Sequence, residues 1–200
     1  MCGRFGVNER EGFQVMKSAF TTNIITSNKL RDNVSLTLTD TISALKKIEE
    51  EIYFDHKTWG IKFKKDGPLI FNSRIETIKE KPFWRRLFDK NRILVPMYSF
   101  HEKAHITFEN NQLFFTPGLY FEKDNDFFAT IITCEPNDFM QDVLQDKKGR
   151  KRMPVILSLD QAELYLNDSA ENNIEKCIPY SGHGKMINLD GQKGTQLGFL

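Results

Sequence analysis

This 200-residue chain has few cysteines, no long apolar run, and no strong charge of either sign. Each of these absences excludes something. Cys2, Cys134 and Cys177 are an odd, sparse set without a CxxC pair, which argues against a disulfide framework and a thiolate zinc site. Such a set fits reduced thiols in a reducing compartment. The four histidines, His56, His101, His105 and His183, show no metal-ligand spacing. His101 and His105 are four apart in a segment that reads as a strand, which is expected to keep them apart. Neither metal nor cofactor is expected. No apolar run approaches the roughly 18 residues of a membrane span, and no basic-then-apolar segment opens the chain. A cytoplasmic protein without a membrane partner is the expectation.

The net charge of +1 gives no global nucleic-acid signature. Its distribution says more. Lys79, Lys81, Arg85, Arg86, Lys90 and Arg92 form one basic cluster, and Lys147, Lys148, Arg150, Lys151 and Arg152 another. Phosphate-binding faces are built from such clusters. A solvated helix face and a solvated loop account for them equally well.

No linker, repeat or low-complexity tract divides the chain, so one domain over residues 1–200 and a monomer are expected. Residues 8–20 read as a helix capped by Asn8, with Phe13, Met16 and Phe20 at helical spacing. Residues 35–46 look extended. Over 41–54, Ile42, Leu45, Ile48 and Ile52 suit either a helix or a hairpin turning at 47–50. Residues 76–89 read as helix interrupted at Pro82. Strands are expected over 92–100, 105–109, 112–121 and 127–134, with turns at Asn110–Asn111 and Asp124–Asn125. Ser158 and Gln161 suggest a capping box before a short helix, 159–166, and weak strand signals occur at 185–189. The fold class is α+β, dominated by antiparallel strands.

Cys2 draws attention for its chemistry. With Met1 removed it presents an α-amine and a thiol on adjacent carbons, with reference pKa values of roughly 8 and 8.5. The amine can condense with an aldehyde to an imine, and the thiolate can close on the imine carbon to give a thiazolidine. An internal cysteine has no free amine and cannot do this.

The opening Met1-Cys2-Gly3-Arg4-Phe5 resembles that of the SRAP family (SOS-response-associated peptidase). Asn33-Val34 is similar to its Asn-Val/Ile pair, and Trp59-Gly60 to its Trp-Gly step. The run 72–77 (NSRIET) resembles its N-A-R-x-E-T motif. Arg92 to Pro96, with Phe100-His101-Glu102, resembles its R-C-L-V-P…G-F-Y-E-W segment, and 152–157 (RMPVIL) its R-M-P-V-I-L run. The blocks fall in family order and cover most of the chain.

The resemblance implies a single SRAP domain of twisted, barrel-like antiparallel sheets with a few flanking helices. It also implies a covalent crosslink between Cys2 and abasic sites in single-stranded DNA, and peptidase-type self-processing that removes what precedes the cysteine, here Met1. Cys2, Asn72 and Glu102 would be catalytic: Cys2 the nucleophile, Asn72 a hydrogen-bonding amide at the sugar, Glu102 a proton shuttle. Arg4, Asn33, Arg74, Arg85, Arg86, Arg150 and Arg152 would contact DNA, with Glu76 a partner for Arg74. Phe63 or Trp84 would supply an aromatic wedge, Trp84 being equally suited to the core. Cys134 and Cys177 read as buried, inert thiols.

The sequence departs from the family pattern at Arg150, where a histidine is usual. An arginine does not shuttle protons near neutral pH. Crosslink formation is therefore expected to survive, with slower reversal. Two other functions are expressible by the same residues: a non-covalent DNA-binding module, and a cysteine peptidase acting on other proteins.

Overall fold

The computed structural model describes residues 3–144, 151–182 and 184–192, with residues 191 and 192 for backbone only. Cys2, Arg150, Lys147, Lys148 and His183, singled out in the sequence, lie outside them. The first half runs β1 (Arg4–Val7), α1 (Glu9–Ala19), β2 (Ile24–Ile25), β3 (Val34–Thr37), β4 (Thr41–Ile48), β5 (Glu51–Trp59), β6 (Asn72–Arg74), α2 (Ile75–Glu80) and α3 (Pro82–Lys90). The second continues β7 (Arg92–Met97), β8 (Ser99–His101), β9 (His105–Phe108), β10 (Phe114–Lys123), β11 (Asp126–Cys134), α4 (Asp138–Leu144), β12 (Met153–Pro154), α5 (Leu159–Asn167), α6 (Ala170–Lys176) and β13 (Met186–Asn188).

Local chemistry sets many boundaries. Asn8 caps α1 by accepting from the Glu11 N–H at 3.1 Å. Pro82 stops α2 and starts α3, where its fixed φ and missing N–H do no harm. Gln161 reaches back to the Ser158 N–H at 3.0 Å ahead of α5. Asp124 and Asn125, with φ of 53° and 65°, make the tight turn joining β10 to β11.

Strands β5, β4, β7, β10 and β11 pair in that order, and a parallel β11–β5 pairing closes them into a barrel. Across the turn at residues 49–50, β4 and β5 form a hairpin with Thr41 opposite Thr58 and Ile48 opposite Glu51. This settles the helix-or-hairpin ambiguity of 41–54. A barrel wall covered on both sides buries apolar residues at both parities, so the strand loses its period-two signature. Phe13 of α1 stacks on Phe54 at 6.1 Å between centroids, so the Phe54 face of β5 is the outer one.

The second sheet orders β13-β9-β8-β1-β3. Phe5, Leu36, Phe100 and Ile106 are register neighbours on its inner face and are all buried. Phe5 meets the barrel's Trp59 at 4.8 Å. The expected turn at Asn110–Asn111 passes the chain between sheets, since β9 pairs with β8 and β13, and β10 with β7 and β11. One expectation needs correction: His101 and His105 do meet, as described below.

Candidate functional site

Trp59 and Gly60 prepare the position of Asn72. Gly60 has φ +99°, a region other residues rarely adopt, and a Cβ there would come within 3.0 Å of Leu69. The Trp59 indole N–H donates to the Phe71 carbonyl at 3.0 Å. Beyond it, β6 lies parallel on β11, with Asn72 beside Ile131 and Arg74 beside Thr133. Between them, the buried Ser73 and Thr130 hydroxyls share a 2.7 Å hydrogen bond. Asn72 is half-buried, while Arg74 is exposed at the start of α2.

Glu76 does not serve Arg74 as its close partner. Its carboxylate takes a two-pronged contact from Arg152, at 3.0 and 2.7 Å, and Arg152 also donates to the Thr133 carbonyl at 2.6 Å. The Arg152 side chain is 10% exposed. Its fork is committed to tying β12 to α2 and β11, so it offers little to a phosphate. Burial alone would raise the Glu76 carboxyl, but the Arg152 hydrogen bonds and charge outweigh it and hold the group below its ordinary value.

Glu102 follows β8 and is 4% exposed, although its motif position alone suggests a solvent-facing strand carboxylate. Burial is the largest influence on it and pushes its pKa above the usual carboxylate value. A carboxyl in such surroundings holds its proton to higher pH, as a proton donor requires.

On the outer face of the second sheet, Arg4 lies opposite both Thr37 and His101. His101 and His105 stack with centroids 4.1 Å apart, 17° from parallel. A reversal at Lys103, with φ of 61°, folds β8 onto β9 and puts the two rings in register. A straight strand would have kept them apart. Burial, then the neighbouring His105 and Arg4, lowers the His101 pKa.

Asn33, in the left-handed region at φ 45°, accepts from the Asn8 side chain at 3.2 Å. Behind it, Glu9 is 1% exposed and gathers the Arg31 guanidinium, the Arg31 N–H and the Ser43 hydroxyl. Nothing in the sequence pattern marked this cluster, because a charged residue in the first turn of a helix is ordinarily solvated. Asn33, His101 and His105 border a groove of about 250 Å³.

Along α3, Arg86 is exposed and Arg85 is engaged with Asp89 at 3.2 Å. The helix also presents aromatic rings. Phe63 and Phe83 are 41% and 54% exposed and make edge contacts with each other and with the half-buried Trp84. Phe121 underlies them. Cys134 and Cys177 are buried, and burial pushes both thiols up to about 12. Among the described residues no cluster of three or more metal-ligating side chains occurs, and no helix is long and apolar enough to cross a membrane.

Comparison with known proteins gives a consistent result. Residues 1–187 match the model of the family described as SOS response associated peptidase (SRAP). The abasic site processing protein YoaM of Bacillus subtilis is 35% identical over 129 residues, which is 54% of this chain and 54% of that protein. The abasic site processing protein YoqW of the same organism is 33% identical over 130 residues, 54% of this chain and 55% of that one. The chain thus spans about half the length of the curated relatives it matches. A crystal structure from Bordetella bronchiseptica superposes with TM-score 0.71 at 16% identity, covering 93% of this chain and 97% of that one. One from Bacteroides thetaiotaomicron gives 0.66 at 19%, covering 96% and 94%. These likenesses show a shared α+β fold.

Proposed function

The chain belongs to the SRAP family, and on that premise we propose that it captures abasic sites in single-stranded DNA through a covalent link to Cys2. The observation that carries the reading is the buried carboxyl of Glu102, its pKa raised, beside the strand that follows Cys2. Arg4 is the cross-strand partner of His101, the residue before Glu102. Cys2 precedes Arg4 by two residues, so the strand that follows the nucleophile runs beside the acid.

Removal of Met1 frees the amine of Cys2. The amine adds to the aldehyde carbon of the ring-opened deoxyribose. Protonated Glu102 gives a proton to the resulting hydroxyl, which leaves as water while nitrogen gives up a proton, forming the imine. The thiolate sulfur then bonds to the imine carbon, and nitrogen takes a proton. The product is a thiazolidine. Asn72, an amide that donates and accepts at once, orients the sugar.

Arg4, Arg74 and Arg86, all exposed, hold the phosphates, with Arg85 partly engaged by Asp89. Asn33 borders the groove beside His101 and His105. The Phe63–Phe83–Trp84 cluster gives bases a stacking surface, which is worth about 1–3 kcal/mol per base. Arg152 acts from behind, fixing α2 and so Arg74.

The test is a denaturing gel with intact mass on protein mixed with single-stranded DNA carrying one abasic site. An adduct that survives denaturation and is absent from Cys2→Ala supports the reading. Equal, non-covalent binding by both proteins overturns it in favour of a DNA-binding module, the alternative to which Arg150 at the family's histidine position points.

A further inference from the structure

The inner face of the barrel wall carries an unexpected set of side chains. Opposite in parity to the outward Phe54, Asp55 and Lys57 of β5 share a face with Ala44 and Ile42 of β4, and Lys46 lies on the same side. The parallel register of β5 with β11 brings Phe127 to this face, and the β10–β11 pairing brings Tyr120. Lys46, Asp55, Lys57, Tyr120 and Phe127 line a cavity of about 340 Å³. That is the scale of a small-molecule site and too small for a polymer strand.

Lys57 is only 6% exposed. Among the described residues, no carboxylate oxygen lies within 4.0 Å of its ammonium nitrogen. The ammonium donates to the carbonyl of His56, at 3.4 Å, and its nitrogen stands 5.5 Å from the centroid of the Phe127 ring. The second cation, Lys46, donates to the Tyr120 hydroxyl at 2.5 Å and lies 4.0 Å from that ring's centroid.

A buried ammonium without a close counter-ion is unfavourable, and the least costly relief is to give up its proton. Burial is the largest cause that lowers the Lys57 pKa; Lys46 acts in the same direction and Asp55 against it. A desolvated amine next to a second cation is an arrangement that activates lysine toward carbonyl carbon.

We propose that Lys57 is a carbonyl-reactive amine, and that the barrel mouth takes a small aldehyde or ketone bearing an anionic group that Lys46 balances. The lone pair of Lys57 Nζ attacks the carbonyl carbon to form a carbinolamine. The carbinolamine hydroxyl takes up one proton and leaves as water, its C–O bond breaking, while nitrogen gives up one proton. An imine remains. Asp55 and Tyr120 face the same cavity and carry these protons; the Tyr120 oxygen accepts from Lys46, which leaves its own proton to donate. No oxidant or reductant is needed. The site stands apart from the chemistry proposed for Cys2 and does not depend on it.

The experiment uses the full-length chain with Cys2→Ala, so that no N-terminal aminothiol competes for aldehyde. Glyoxylate is added at pH 7 with cyanoborohydride to trap imines, and peptide mapping follows each lysine in time. Lys57 is expected to be modified several-fold faster than the exposed Lys64, because an amine's neutral fraction rises as its pKa falls. Lys46→Met should slow Lys57 labelling selectively, and Lys57→Arg should abolish the fast phase. Labelling of Lys57 no faster than Lys64, or a fast phase that survives Lys57→Arg, overturns the proposal. The mapping is read on the lysine itself, so a poorly folding Lys57→Arg leaves the test intact.

Discussion

Replacing Glu102 with glutamine should separate stability from chemistry. The amide has nearly the same shape, so the 4%-exposed site stays filled. Burial raises the folded-state pKa of Glu102, so the folded protein binds that proton more tightly than the unfolded chain does. The stability the protonated group contributes is fully present below the unfolded value, roughly 4.3, and is lost as pH rises through the folded one. Glu102→Gln removes this dependence. Relative to wild type, its melting temperature should gain as pH rises through that window. The rate of adduct formation with abasic single-stranded DNA should move the other way. Losing a positioned proton donor lowers a rate by about 10²–10⁴-fold, or about 3–5 kcal/mol in the barrier. Thermal melts over a pH series and single-turnover gels with saturating DNA measure the two quantities. An unchanged rate would refute the role given to Glu102. A rate loss matched by an equal loss of stability would show that the residue only holds the fold.

Three further outcomes follow from the same geometry. Glu9→Ala leaves the Arg31 guanidinium without its carboxylate; Arg31 keeps 29% exposure, so the destabilisation should fall near the low end of the range for broken buried pairs, about 3 kcal/mol by denaturant titration. In the wild type the folded Glu9 pKa is depressed, so its contribution is present above the unfolded value and lost as pH falls through the folded one. For DNA, Arg74→Ala or Arg86→Ala should each shorten the slope of log affinity against log salt by about 1, whereas Arg152→Met, its charge taken up by Glu76, should lower the melting temperature and leave that slope unchanged. Cys134 and Cys177, buried and with thiols pushed up to about 12, should resist iodoacetamide in the native protein at pH 8 and react fully once unfolded; rapid native labelling of either would contradict their burial.

Much of the architecture is written locally. Asn8, Pro82, Ser158 with Gln161, and Asp124-Asn125 are each read by the backbone within a few residues, so their caps and turns can be placed from sequence. The family blocks around Asn72, Glu102 and Arg152 are likewise visible as strings. Their division of labour is not. Arg74 and Arg152 are both arginines in family motifs, yet one is exposed and the other is folded onto Glu76, 76 residues away.

The sequence by itself determined the α+β class, the helix and strand segments with strong end signals, and the chemical uniqueness of Cys2, because these depend on neighbours along the chain. Only the tertiary structure decided which residues meet. Barrel closure brought Lys57, Lys46 and Phe127 to one cavity, although β4 and β5 mix polar and apolar residues on both parities, which hides which face is inward. The reversal at Lys103 stacked two histidines that a straight strand would have separated. Burial, a property of the whole packed molecule, raised the pKa of Glu102 above that of an ordinary carboxylate.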